Sequence, residues 1–153
     1  MTKYNKIVVA SSMFMEAHHR YLSAKHDIDY IVSIVLAGSV VGIVSPLLKE
    51  QGGQTSHQML AEIGNLLVDS KDADMHEGLF REIYNSFKHS GNKRKGLDPS
   101  EDMEIETDLK LEAAHMLDAA KDDFLDINIS SAIRNDIPGE FITLLESLDY
   151  YAE

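Results

Sequence analysis

The chain contains no cysteine, no tryptophan and only three prolines in 153 residues. Without thiols there can be no disulfide scaffold, no cysteine-ligated metal centre and no thiol nucleophile. Its nine glycines follow no repeat, which excludes collagen-like structure. Positive charge is also scarce: 14 Lys/Arg stand against 26 Asp/Glu, a formal net charge of −12. The deficit is uneven, because residues 97–153 hold 16 acidic and 3 basic residues while residues 1–96 hold 10 and 11. What is present is ordinary for a globular protein, with 44% hydrophobic and 26% charged residues. That composition and length fit one domain over residues 1–153 with a core large enough to fold unaided.

The start Met1-Thr2-Lys3-Tyr4-Asn5-Lys6 carries two lysines, but the apolar run Ile7-Val8-Val9-Ala10 is too short for a signal-peptide core. Together with the lack of cysteine, this gives a cytoplasmic expectation. Ile31 to Leu48 is free of charge and includes Gly38-Ser39-Val40-Val41-Gly42, a spacing that lets membrane helices approach closely. Flanking Asp27, Asp29 and Glu50, and the amphipathic character of every other segment, favour a buried central helix and no membrane association.

Helical signals run through the chain. Thr55 with Gln58, Asp74 with Glu77 and Asp98 with Glu101 have capping-box spacing, Pro99 suits a first helical position, and Asp27 is placed to cap the apolar run. Helices are expected at about 7–25, 28–51, 56–70, 75–89, 99–127 and 138–150, ended in two cases by Gly52-Gly53 and by Ser90-Gly91-Asn92. The expected fold is all-α: an up-down bundle of about five to six helices, the first and fifth packed antiparallel to a buried apolar second helix. The methionines at 13, 15, 59, 75, 103 and 116 read as packing residues. Phe141, Ile142, Leu144, Leu145, Leu148, Tyr150 and Tyr151 either close the core or pair two chains.

Two Glu-x-x-His pairs, Glu16/His19 and Glu112/His115, have the ligand spacing of ferritin-like di-metal bundles, with Glu62 and Glu82 available to complete a site. At about 100° per residue, however, both pairs point away from the apolar faces of their helices, so a ferritin-like di-metal bundle stands only as the third functional reading and no metal ligand or cofactor is assigned. His18, His26, His57 and His76 are scattered and are assigned no role.

The helix expected at 75–89 carries a different pattern. Leu79, Phe80, Ile83, Tyr84 and Phe87 form an apolar stripe, while Arg81, Asn85 and His89 fall at i, i+4 and i+8 on the opposite face. Lys88 lies alongside, and Lys93, Arg94 and Lys95 follow between two glycines. A guanidinium, an amide, an imidazole and four neighbouring cations suit a phosphodiester, since cations steady phosphate charge and imidazole moves protons near neutral pH.

Tyr84-Asn85-Ser86-Phe87-Lys88-His89 resembles the signature of the HEPN superfamily, small all-α domains whose helix carries an arginine, a polar residue and a histidine after three variable positions. The run Asp29-Tyr30-Ile31-Val32-Ser33-Ile34-Val35-Leu36-Ala37-Gly38-Ser39 is similar to a stretch in a bacterial branch of that group. The resemblance covers about residues 10–127 and implies a metal-independent ribonuclease or a degenerate RNA-binding relative of bacterial or phage origin. Such proteins belong to defence or toxin–antitoxin systems and work as homodimers. By position, Asn85 matches the polar residue and His89 the histidine, while Tyr84 stands where the family has arginine and Arg81 lies one turn earlier. A second expectation is an acidic interaction module in which Glu101, Asp102, Glu104, Glu106, Asp108, Glu112, Asp118, Asp122, Asp123 and Asp126 dock a basic protein or mimic nucleic acid.

Overall fold

The uncharged run around residues 31–48 forms the middle of the longest helix, and the rest of the chain is laid around it. The computed structural model describes residues 1–68 and 75–152. Among these residues there are seven α-helices, one 3-10 turn and no strand. They are α1 (Lys6–Leu22), α2 (Asp27–Glu50), α3 (Ser56–Leu67), the 3-10 turn Leu79–Arg81 running into α4 (Glu82–Ser86), α5 (Leu109–Asp126), α6 (Ser131–Arg134) and α7 (Glu140–Ser147). The all-α bundle expected from the sequence is therefore what forms.

Pairings along the chain give the helix directions. Ser33 Oγ donates to Ala17 O at 2.9 Å and Arg20 pairs with Asp29 at 3.5 Å, so α1 is antiparallel to α2. Against α5 the register is the opposite, because Ser45 meets Asp123 and Gln51 meets Asn128. The helix at 109–126 thus runs parallel to α2, not antiparallel to it. The reason is the intervening return: Glu77 pairs with Lys49, Arg81 lies by Gly42 and Tyr84 lies by Gly38, so residues 77–88 climb back along α2 before α5 descends. By length and composition α2 could cross a bilayer, but here α1 and α5 pack along it, and Ile34, Ala37, Val40, Val41 and Val44 are buried.

Several boundaries differ from the sequence reading. Asp27 is the first residue of α2 rather than its cap; His26 takes that place, and Asp29 accepts from the Lys25 and His26 amides. The Asp74 of one expected capping pair, and Ser70, lie outside the described residues. Asp98 and Glu101 do pair, but only as a turn, and α5 starts ten residues later under an Asp108 cap. Carboxylates at 98, 101, 102, 104, 106 and 108 would repel one another at helical spacing, and Ile105 and Thr107 are poor helix formers. The helix expected at 75–89 shrinks to Leu79–Ser86, and the one at 138–150 to α7, preceded by the unforeseen turn of α6 under a Ser130 cap.

The C-terminal apolar residues close the core. Phe141 packs edge-on against Phe14 and Phe124, with ring centroids 5.8 Å and 4.7 Å apart, and Tyr150 packs on Tyr21 and His18. Met116 is buried as expected, but Met59 and Met103 are exposed. Asp123, grouped above with the surface acids, is buried. Its carboxylate accepts from Ser45 Oγ at 2.5 Å and from the Ser56 amide at 2.6 Å, tying α5 to α2 and to the start of α3. Burial pushes its carboxyl above the ordinary range, and those two hydrogen bonds only partly offset the effect.

Gly38 is a tight seat in the bundle, filled by an aromatic ring. A Cβ there would lie 2.3 Å from the Tyr84 ring, whereas one at Gly42 would meet its nearest neighbour, Arg81, at 3.4 Å. Gly38→Ala is expected to lose about 1–3 kcal/mol by pushing Tyr84 off α2. Gly42→Ala, relieved of a glycine in mid-helix, should be neutral or stabilising by up to about 1 kcal/mol. Urea unfolding of the two variants compares them directly.

Candidate functional site

Tyr84 decides how the short climbing segment presents its side chains. Its ring lies flat against α2 at Gly38, and its hydroxyl accepts from Lys88 Nζ at 2.8 Å and lies 3.5 Å from Ser39 Oγ. The Arg81 guanidinium is 5.5 Å and the Lys88 ammonium 4.5 Å from the ring centre, both within cation–π range. Burial alone would raise the phenol, but the bond from Lys88, helped by Ser39 and Arg81, brings it below its ordinary value. Tyr84 is thus a core anchor, and Lys88, expected on the polar line, is turned toward it.

Arg81, Asn85 and His89 do not form the continuous line that an unbroken helix would give. The break lies at the start of the line: Arg81 ends the 3-10 turn with φ −114° and ψ 6°, before α4 begins at Glu82, whereas the His89 amide still donates to Asn85 O at 3.0 Å, a helical i to i−4 bond one turn on. Two adjoining cavities result, sharing Gly78 and Asn85 as a wall.

The first, of about 400 Å³, is lined by Asn85, His89, Lys93, Arg94 and Lys95 together with the carboxylates of Glu82 and Asp102. A tight hairpin brings the cations there. Asn92 and Leu97 exchange backbone hydrogen bonds of 3.0 and 2.9 Å, Asn92 Oδ1 accepts from the Lys95 amide, and Gly96 closes the turn at φ +69°. Only glycine adopts that left-handed conformation without strain. Lys95 is paired with Glu82. The Arg94 guanidinium lies over Gly78, where a Cβ would stand 3.3 Å from its Nη2.

The second cavity, of about 360 Å³, contains Arg81, His57, Thr55, Lys49 and Glu77. Lys49 and Glu77 pair at 2.5 Å, while Arg81 Nε is buried with no hydrogen-bond partner among the described residues. His57 is buried and stacks on Phe80 with centroids 5.7 Å apart. Burial first, then the Arg81 charge, pull its imidazole from 6.5 down to about 4, against the opposing pull of Glu77. His57 carries no role in the sequence reading; its one signal there is the i, i+4 spacing to Ala61, and the structure shows both residues on the buried side of α3.

The Glu-x-x-His pairs stay apart. Glu16 is held by Arg20 at 2.9 Å, and no group of three or more His, Asp or Glu among the described residues is arranged to hold a metal ion. No known family model, curated protein or solved structure matches the chain.

His57 makes stability depend on pH in a known direction. Its folded value lies below its unfolded value, so the unfolded chain binds more protons between about pH 6.5 and 4. The stability this residue contributes is complete above that window and is lost as pH falls through it, by about 3 kcal/mol. Urea titrations from neutral to acid pH should show that loss in the wild type, and a shallower loss by that amount in His57→Phe.

Proposed function

We propose that the chain binds RNA in the cavity between α4 and the basic hairpin, as a HEPN-like protein that binds rather than cleaves. The observation that carries this reading is the convergence of Asn85, His89, Lys93 and Arg94 on one open cavity. The Arg94 guanidinium can grip a phosphate through two parallel donors, and Lys93 adds a point charge. Asn85 offers a donor and an acceptor to a base edge or ribose hydroxyl, and the His89 imidazole offers a further polar contact.

Cleavage asks for more. Attack of a 2′-hydroxyl on the adjacent phosphate needs a proton-transfer group and charge compensation at the same phosphate, and the resemblance puts the compensating arginine on the helix at the position of Tyr84, whereas the guanidinium beside His89 here is Arg94 of the hairpin. Tyr84, at the family's arginine position, is committed to Gly38, and Arg81 opens into the neighbouring cavity. Binding alone is therefore the reading best supported within one chain. A homodimer, as the resemblance implies, would present two such cavities.

Labelled single-stranded RNA incubated with the protein in EDTA tests this by mobility shift and by cleavage. Binding should weaken steeply with salt, and Lys93→Gln/Arg94→Gln should flatten the log–log salt dependence by about 1.4. Wild type and His89→Ala should both leave the RNA intact. A shift that persists unchanged in about 0.5 M salt would remove the phosphate site. Cleavage abolished by His89→Ala would replace binding with catalysis.

A further inference from the structure

Helix α3 is amphipathic, yet the bundle covers little of it. Only His57 and Ala61 are buried, while Met59, Leu60, Ile63, Leu66 and Leu67 are 47%, 45%, 46%, 84% and 79% exposed. These five lie at i, i+1, i+4, i+7 and i+8, one continuous face of the helix. Contiguous apolar surface of this kind on a protein with abundant charge marks an interaction site.

That face borders a cavity of about 590 Å³ running between α3 and α5. Met59, Leu60, Phe80, Ile83 and Ala119 give it an apolar lining, and α5 adds the carboxylates of Glu112, Asp118 and Asp122. It shares no lining residue with the cavity proposed for RNA. Lys121 answers Asp118 at 2.7 Å and Asp122 at 3.4 Å, but Glu112 has no ion-pair partner among the described residues. The excess negative charge is felt by neighbouring Tyr151, whose hydroxyl is pushed up to about 12 by burial first and then by Asp118, Tyr21, Asp122 and Glu112.

We infer that this groove docks an amphipathic helix of a partner protein, with large apolar side chains against α3 and α5 and lysines or arginines over Glu112, Asp118 and Asp122. Two flanking helices offer the ridges and grooves into which a third packs. The cavity takes a few large side chains, and the exposed face continues beyond it to Leu66 and Leu67, a longer surface than a small molecule covers. Charge selects the partner. A second copy of this chain would bring its own carboxylates and a net charge of −12 to the same rim, whereas a basic helix neutralises it.

A synthetic helix of about 16 residues, leucines on one face and lysines flanking them, is the probe, with a Lys-to-Glu counterpart as control. Fluorescence anisotropy should show the basic peptide binding at least about tenfold more tightly than the acidic one, with the preference inverted for Glu112→Lys/Asp122→Lys. Leu60→Asp, at an exposed position, should abolish binding while leaving the circular dichroism unchanged. Lys93→Gln/Arg94→Gln should bind the peptide normally, which keeps this result separate from the RNA reading. Equal affinity for the two peptides, or binding indifferent to Leu60→Asp, would overturn the inference. So would a dimer in sedimentation equilibrium that Leu60→Asp dissociates, since the occupant would then be a second copy.

Discussion

The contact on which the remaining architecture turns is the Tyr84 ring against the bare backbone of Gly38. A five-residue helix cannot sustain itself in water, because the cost of nucleation is not recovered over so few hydrogen bonds. Its place is imposed from outside, by Tyr84 on Gly38, by Arg81 beside Gly42 and by the Lys49–Glu77 pair at the foot of the climb. That return stroke is why α5 runs parallel to α2, and it sets where the basic hairpin begins. It also removes two of the chain's few cations from free use, since Arg81 and Lys88 both lie within reach of the same aromatic ring.

The parts legible in the sequence were those decided locally. Both long N-terminal helices follow from apolar content and end signals, and the Thr55–Gln58 capping box starts α3 where its spacing says it should. Local signals failed where a longer-range term overrode them. Asp98 and Glu101 formed their reciprocal bond, but the acidic run behind them could not continue as helix. Asp123 has the composition of a surface acid until its partners, Ser45 and Ser56, are folded against it from 78 and 67 residues away.

The candidate site shows the same division. The residue types and the glycine-bounded basic loop were readable, and the loop does fold back over Asn85 and His89. The line of Arg81, Asn85 and His89 assumes one helical period across residues 81–89, and the period breaks at its first member, because Arg81 belongs to the 3-10 turn and not to α4. Arginine and histidine line different cavities, and Asn85 and Gly78 are the wall between them.

Charge then gives the two faces opposite preferences. With a net charge of −12, the chain repels a polyanion over most of its surface. Screening at physiological ionic strength confines each local field to about 8 Å, so a small cationic hairpin still acts as a local attractor although the whole molecule is acidic. The same screening leaves the carboxylates of α5 effective only on what touches the α3 and α5 groove. Ile83 lines that groove and Asn85 lines the cavity under the hairpin, two residues apart on α4. Both surfaces thus depend on the one short helix that Gly38 holds in place, and a change that unseats Tyr84 would disturb both together, whereas changes at Arg94 or Leu60 would act on one alone.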